Sequence, residues 1–120
     1  MKNYKELIIW QKGIEIVKTT YILIKKFPAE EKFGIVSQIT RAAVSIPANI
    51  AEGSSRNSDK DYARFLQLFL GSAFEVQTYL VIAIEMNWAR FEEIEKLELL
   101  LEEEIKMIHR FINTLNKAKS

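Results

Sequence analysis

The sequence predicts an all-α protein, an antiparallel up-down-up-down four-helix bundle built as a single domain over residues 1–120. Three observations favour this fold. The chain has 120 residues, 48% of them hydrophobic, which is enough for one domain with a sizeable core. Its four Gly and two Pro are too few for the many turns of an all-β domain. Apolar residues recur at intervals of three and four along four long segments, and the short connections between them favour antiparallel neighbours.

The first two helices are predicted over residues 4–26 and 31–52. Pro28 should end the first one. Pro47 should kink or split the second, and Gly53 should cap its C-terminus. The core face of the first helix is predicted to contain Leu7, Trp10, Ile14, Val17, Tyr21 and Ile24. That of the second is predicted to contain Ile35, Ile39, Ala42, Ala43, Ile46 and Ile50.

The third and fourth helices are predicted over residues 59–86 and 91–115. Ser58 is expected to cap the third helix, and residues 116–120 form a polar tail expected to fray. The opposite face of the fourth helix should be acidic from Glu92 to Glu104. The third helix should bury Tyr62, Leu66, Phe69, Ala73, Val76, Leu80 and Ala83. The fourth should bury Ile94, Leu97, Leu101, Ile105, Ile108, Ile112 and Leu115.

The first and third helices carry more apolar residues than one bundle core can hold. A large exposed apolar patch usually marks an interface, so a homo-oligomer is predicted, with these two helices forming much of the contact. The apolar stretch 65–84 contains Gln67, Glu75 and Gln77, which favours a helix buried in protein over one crossing a membrane. The N-terminus does not resemble a signal peptide, and a cytoplasmic protein without a membrane partner is expected.

The residues favour a protein that is not an enzyme and that holds no metal or cofactor. There is no Cys, and Lys106 stands three residues before His109, where a di-iron bundle would need Glu. Segment 53–58 lacks the Lys-Ser/Thr pair of a phosphate loop. With its basic neighbours it could still hold one phosphate, or it is an ordinary capped helix start. Glu52 opposes the helix dipole and should pair with Arg41 or Arg56.

Charge separates the two halves of the chain. The whole protein has a net charge of +1, but residues 1–64 hold 11 Lys and Arg against 7 Asp and Glu, whereas residues 65–120 hold 6 against 9. A nucleic-acid or anion contact could therefore use the basic residues of the first half. These candidate contact residues are Lys25, Lys26, Lys32, Arg41, Arg56, Lys60 and Arg64.

The stretch from residue 38 to residue 53 carries a resemblance to a known family. Its matching residues are Gln38, Arg41-Ala42-Ala43, Ser45-Ile46, Asn49-Ile50 and Ala51-Glu52-Gly53, and residues 71–75 add Gly-Ser-Ala-Phe-Glu. The chain resembles the 23S rRNA intervening-sequence proteins. The resemblance implies a bacterial four-helix bundle that assembles into a ring-like homo-oligomer, with five subunits as the expected number. It also motivates the hypothesis of a non-enzymatic scaffold that binds RNA or an RNA-associated protein weakly through the basic residues. The alternative is a protein-interaction module without nucleic-acid affinity, docking through an apolar or acidic face.

Overall fold

The computed structural model describes residues 3–117, which form four long helices and contain no strand. α1 spans Ile8–Ile24, α2 spans Ile35–Ser54, α3 spans Asp59–Glu85 and α4 spans Phe91–Lys117. Single 3₁₀ turns precede α1 and α2, at Tyr4–Glu6 and Ala29–Glu31. Each helix packs against the helix before or after it, and α4 also packs against α1, which closes the bundle. The predicted all-α fold is confirmed, in a molecule of 48 × 21 × 21 Å.

The core face of α1 lies one residue away from the predicted stripe. The buried residues are Ile9, Gly13, Ile16, Thr20 and Leu23, whereas Tyr21 of the predicted stripe is exposed. The predicted stripe was one residue off because a glycine and a threonine occupy core positions without adding to the apolar pattern. The predicted residues that still pack against the core, partly buried, are Leu7, Trp10, Val17 and Ile24. The Thr20 hydroxyl donates to the Ile16 carbonyl at 2.7 Å, so its burial leaves no donor unsatisfied.

The first predicted helix is also shorter than expected. The backbone of Leu7 is extended, with φ −73° and ψ 129°, so the chain makes a 3₁₀ turn before α1 begins at Ile8. The side chain of Asn3 caps that turn by accepting a hydrogen bond from the Lys5 amide at 3.0 Å. A second 3₁₀ turn, Ala29–Glu31, occupies the start of the segment predicted as the second helix.

α2 continues through Pro47 rather than splitting there, and Pro47 is buried. A Cβ atom added to Gly13 would stand 3.2 Å from the Pro47 Cβ, so the missing side chain of Gly13 makes room for the proline. Gly53 does not cap α2, because the helix runs one residue further and no glycine in residues 3–117 has a positive φ. Its role is close packing against α3.

α3 and α4 follow the sequence pattern closely. The Ser58 hydroxyl caps α3 by accepting a hydrogen bond from the Asp61 amide at 3.1 Å, as predicted. Phe69 is fully buried at the centre of the α3 core face. α4 extends two residues beyond its predicted end at residue 115, and the remainder of the predicted polar tail, residues 118–120, lies outside the described residues.

Candidate interaction surfaces

The seven basic residues predicted as a nucleic-acid contact do not form one face. Lys25, Lys26 and Lys32 lie around the α1–α2 connection, whereas Arg56, Lys60 and Arg64 lie around the α2–α3 connection. In an antiparallel bundle, consecutive connections lie at opposite ends. Arg41, in the middle of α2, belongs to neither group. The structure therefore divides the predicted contact between the two ends of a molecule 48 Å long.

The end with the α1–α2 connection mixes both charges. Lys26 Nζ pairs with Glu93 Oε2 at 3.0 Å, and Lys32 Nζ lies 5.5 Å from the ring centroid of Phe33, which is 88% exposed. The α3–α4 connection lies at the same end, where the rings of Phe27 and Trp88 are 5.7 Å apart. Acidic residues from the α1–α2 connection and from the start of α4 share this end, namely Glu30, Glu31, Glu92 and Glu93. These charges offset the lysines and give this end little net attraction for a polyanion.

The end with the α2–α3 connection holds two arginines on one aromatic ring. The guanidinium groups of Arg56 and Arg64 lie 4.6 and 4.7 Å from the ring centroid of Phe65. Arg56 pairs with Glu52 at 2.8 Å, which identifies Arg56 as the partner expected for that carboxylate. Lys60 is exposed and makes no ion pair with any residue from 3 to 117. The stacked arginines are therefore held in place, while Lys60 remains available to solvent.

The second half of α4 adds basic residues to that same end. The ring of Phe111 in α4 packs 5.1 Å from the ring of Tyr62 in α3, so the end of α4 lies beside the start of α3. The exposed residues that α4 adds here are Lys106, His109, Arg110 and Lys117. A depression of about 610 Å³ joins Asn3 and Tyr4 to the last two turns of α2. The acidic residues Glu52, Asp59 and Asp61 also lie at this end, but they are fewer than its basic residues, so it is the more basic of the two.

The segment 53–58 has the structure of a capped helix start. The Ser54 hydroxyl donates to the Ala51 carbonyl and the Ser55 hydroxyl donates to the Glu52 carbonyl, both at 2.7 Å. Ser58 is occupied by its cap hydrogen bond to α3. The serine side chains of this segment therefore satisfy backbone groups rather than pointing together at one ligand position.

The outer face of α3 is apolar and carries a glycine. Leu68, Phe74 and Val81 are each about half exposed, and Ile82 and Met86 continue the exposed apolar surface toward the end of the helix. A Cβ added to Gly71 would meet nothing within 4 Å, so packing inside the subunit does not require a glycine there. A depression of about 440 Å³ runs past Gly71 between α2 and α3. The predicted apolar surplus is therefore present on α3. On α1, Ile9, Ile16 and Leu23 lie in the core, whereas Ile8 and Ile22 are exposed.

Two charges flank this face without forming an ion pair within the subunit. The hydroxyls of Ser45 in α2 and Ser72 in α3 share a hydrogen bond between the two antiparallel helices. Arg41 lies one turn before Ser45 and Glu75 lies three residues after Ser72, which places both on the same side of that contact. Both residues are exposed, and no ion pair joins either of them to another residue in the range 3–117.

The acidic face predicted for α4 is only partly a solvent-facing surface. Glu92, Glu95, Glu102 and Glu103 are exposed around Leu99, which is itself 62% exposed. Glu98 is half-buried. Burial is the main cause that raises the pKa of its carboxyl group, and repulsion from Glu102 raises it further. Glu104 is fully buried. The expectation of a solvated acidic face through residue 104 was therefore wrong at Glu104.

Glu104 is the polar residue that sequence reasoning missed. It follows Leu97 and Leu101 and precedes Ile108 at spacings of four, three and four, so it occupies a core position. Continuing the four–three–four spacing from Leu97 and Leu101 would have predicted that Glu104 lies in the core. The predicted stripe used Ile105 instead, because an apolar residue is the usual occupant of such a position.

No group of three or more His, Cys, Asp and Glu side chains within residues 3–117 is arranged to hold a metal ion. His109, the single histidine, is exposed on α4. α3 is long and apolar enough to cross a membrane by length and composition, with a mean hydropathy of 1.4 in its most apolar window. Nine of its residues are nevertheless buried against other helices, as in the core helix of a bundle.

Comparison with known proteins identifies a family and a similar solved structure. The family model of 23S rRNA-intervening sequence proteins matches residues 5–110. Among solved structures, the chain is similar to a protein of unknown function from the S23 ribosomal protein family of Bacteroides thetaiotaomicron. The two are 27% identical with a TM-score of 0.80, over 88% of this chain and 98% of that one. No curated protein matches the chain.

Proposed function

Because this chain belongs to the family of 23S rRNA-intervening sequence proteins, we propose that it is a non-enzymatic scaffold that assembles into a ring-like homo-oligomer, with five subunits as the expected number. The family resemblance drawn from residues 38–53 is confirmed by the match over residues 5–110. We further propose that the protein is cytoplasmic and contacts RNA weakly through its more basic end. The observation that carries the proposal is the exposed apolar face of α3.

The glycine in this face supports helix packing between subunits. Gly in a helix interior costs about 1 kcal/mol relative to Ala, and Gly71 gains nothing from packing inside the subunit. A glycine on an apolar helix face allows a second backbone to approach closely. Leu68 and Phe74, three residues to either side, would surround that contact. A second subunit would then cover side chains that the single subunit leaves half exposed.

The flanking charges suit a contact between copies of the same chain. Arg41 and Glu75 have opposite charges, lie beside the same apolar face and make no ion pair with other residues of the described chain. In a ring, each interface joins two different surfaces of neighbouring subunits. Because Arg41 and Glu75 lie beside the same face, they would meet charged residues on a different surface of the next subunit, and such pairs favour a defined register over other apolar contacts.

Light scattering after size-exclusion chromatography, at low and at high salt, tests the assembly. The wild-type chain of 14.0 kDa should elute as an oligomer near five subunits. Leu68→Glu should yield a monomer, because the introduced charge would be buried in the interface. Leu99→Glu is the matched control on the outer face of α4 and should leave the mass unchanged. A monomeric wild type, or an unchanged mass for Leu68→Glu, would contradict this interface.

The RNA contact is proposed for the end that contains Arg56, Lys60 and Arg64. Lys60 is exposed and available, and the two arginines are held on the Phe65 ring. With a net charge of +1 the whole protein has no strong attraction for RNA, so the contact should be weak and sensitive to salt.

Fluorescence anisotropy with a structured rRNA fragment tests this contact over a range of salt concentrations. Lys60→Ala should weaken binding and reduce the slope of log affinity against log salt by about 1, as expected for one lost phosphate contact. Lys25→Ala, at the opposite end, is the matched control and should bind as the wild type does. Absence of binding at low salt would remove the RNA part of the proposal and leave the assembly part intact.

The alternative function, a protein-interaction module without nucleic-acid affinity, rests on the outer face of α4. Exposed Leu99 is surrounded there by four exposed glutamates and by Lys96 and Lys106, which suits a partner with an apolar surface ringed by charges of both signs. This alternative predicts an oligomer that ignores RNA. It also predicts that Leu99→Glu, which leaves assembly unchanged, abolishes binding of that partner.

A further inference from the structure

Glu104 carries a carboxyl group into the core of the bundle. Its side chain is fully buried, and neither carboxyl oxygen has a hydrogen-bond partner among residues 3–117. Leu101 and Ile108, on the same face of α4, are also fully buried. A carboxylate without hydrogen bonds in such a position is costly, whereas a protonated carboxyl group costs much less. The geometry therefore favours a protonated Glu104.

Lys12 of α1 is the basic residue next to this carboxyl group. Its Nζ pairs with Glu103, the residue that precedes Glu104 in α4. The Lys12 side chain is 29% exposed and that of Glu103 is 56% exposed, so the pair lies at the edge of the contact between α1 and α4. Lys12 thus pairs with a surface carboxylate, while its charge also acts on the buried carboxyl group of the next residue in α4.

The charges around Glu104 come from α1 and α4. Burial raises the pKa of Glu104 to about 8, Lys12 opposes that rise, and Glu103 adds to it. Among the described residues, no charged group of α2 or α3 contributes. At this level of the bundle, Gly13, which follows Lys12, packs against Pro47 of α2. At neutral pH, Glu104 accordingly keeps its proton and Lys12 remains with Glu103.

We propose that Lys12 and Glu104 form a proton-operated latch between α1 and α4. While Glu104 is protonated, Lys12 pairs with Glu103, and when Glu104 releases its proton to solvent, Lys12 Nζ leaves Glu103 and pairs with the buried carboxylate. The exchange is favourable because an exposed ion pair contributes little to stability, whereas an unpaired buried carboxylate is strongly unfavourable. The latch belongs to the single subunit and does not depend on the proposed assembly or on RNA.

A carboxyl ¹³C NMR titration of the full chain tests the latch, with Glu104→Gln used to assign the Glu104 resonance. The resonance should titrate with a midpoint near pH 8. The ammonium ¹⁵N resonance of Lys12 should change with the same midpoint, because Lys12 changes partner in that step. If Glu104 titrated without that exchange, Lys12 would respond only to the new charge nearby, and the Glu103 carboxyl resonance would keep the shift of a paired carboxylate.

Three variants sharpen the result. Lys12→Met should raise the Glu104 midpoint, because the carboxylate formed on deprotonation then has no cation with which to pair. Glu103→Gln should lower the midpoint, since Lys12 no longer has a competing partner and one repulsive charge is gone. Glu95→Gln, on the exposed face of α4, is the matched control and should leave the midpoint unchanged.

Two outcomes would overturn the latch. One is a Glu104 midpoint at the ordinary glutamate value of 4.5. The other is a Lys12 ammonium resonance that stays constant while Glu104 titrates. Both are read from the wild-type chain, so the test holds even where a core variant such as Glu104→Gln folds poorly, with Glu104 then assigned through its backbone.

Discussion

Gly53 of α2 lies directly against Phe65 of α3. A Cβ atom at residue 53 would stand 2.9 Å from the Phe65 Cβ and 3.0 Å from Cδ1 of Tyr62, closer than real Cβ atoms approach such neighbours. The glycine therefore allows the two helices to meet just before the connection between them. The same contact supports the Phe65 ring, on which Arg56 and Arg64 stack.

Gly53→Ala should lower the free energy of unfolding by roughly 1–3 kcal/mol, because the added methyl group overpacks this contact. Gly71→Ala is the matched control, since its added methyl group meets open space. It should stabilise the isolated subunit by about 1 kcal/mol through helix propensity. Urea unfolding in the Leu68→Glu background measures both on a monomer.

Gly71→Ala in the wild-type background should instead weaken the oligomer, and a tighter oligomer would argue against close helix approach at residue 71.

Phe69→Ala should lower the free energy of unfolding by roughly 3–5 kcal/mol, because it empties a fully buried site at the centre of α3. Phe33→Ala removes the same ring from an 88% exposed position and should change stability by less than about 0.5 kcal/mol. Chemical unfolding of the two variants gives the comparison. Equal losses would place Phe69 outside the core.

Glu104 should make the bundle less stable as the pH rises. The folded-state pKa of about 8 lies above the ordinary value of 4.5, so between those values the folded chain keeps a proton that the unfolded chain releases. This contribution is complete below pH 4.5 and is lost as the pH rises to about 8, at up to about 1.4 kcal/mol per pH unit. Thermal unfolding of Glu104→Gln should lack this decline. A parallel decline in wild type and variant would assign the effect to other groups.

Glu93 should have the opposite dependence at acidic pH. Its Oε1 accepts a hydrogen bond from the Arg90 amide at 2.8 Å, and that bond, then Lys26, lowers the pKa of the carboxyl group. Its contribution is therefore present above the ordinary value of 4.5 and is lost as the pH falls through the lower folded-state pKa. NMR titration should show a Glu93 midpoint below the ordinary glutamate value of 4.5. Lys26→Met should move the Glu93 midpoint upward, and an unmoved midpoint would show that the backbone hydrogen bond acts alone.

Helix features predicted from the sequence are correct where interactions between residues close in the chain determine them. The Ser58 cap and the core stripe of α3 are confirmed because a capping hydroxyl and a heptad pattern act within a few residues of one another. The core face of α1 was misread because Gly13 and Thr20 are not apolar side chains, yet one gives Pro47 room and the other satisfies its own hydroxyl. Both reasons depend on groups that the apolar pattern does not weigh.

Prediction of the candidate sites required the arrangement of the helices more than prediction of the helices themselves did. That Glu52 pairs with Arg56 was one of two options, and a helical spacing of four made it available within the chain. The separation of Lys25 from Lys60 could be inferred only once the helices were placed antiparallel. The burial of Glu104 beside Lys12 required the register between α1 and α4, which no local pattern contains.

Periodicity, caps and composition were sufficient to specify four helices, their order and an apolar surplus on α3, because these properties arise from interactions between residues three or four positions apart. Packing between helices decided the rest. Packing between helices shifted the core face of α1 by one residue from the predicted stripe and buried the carboxyl group of Glu104. It also placed the predicted basic residues at two opposite ends of the bundle. Those outcomes reflect contacts between residues distant in the chain, such as Gly13 with Pro47 and Lys12 with Glu103, where steric fit and burial outweigh local preference.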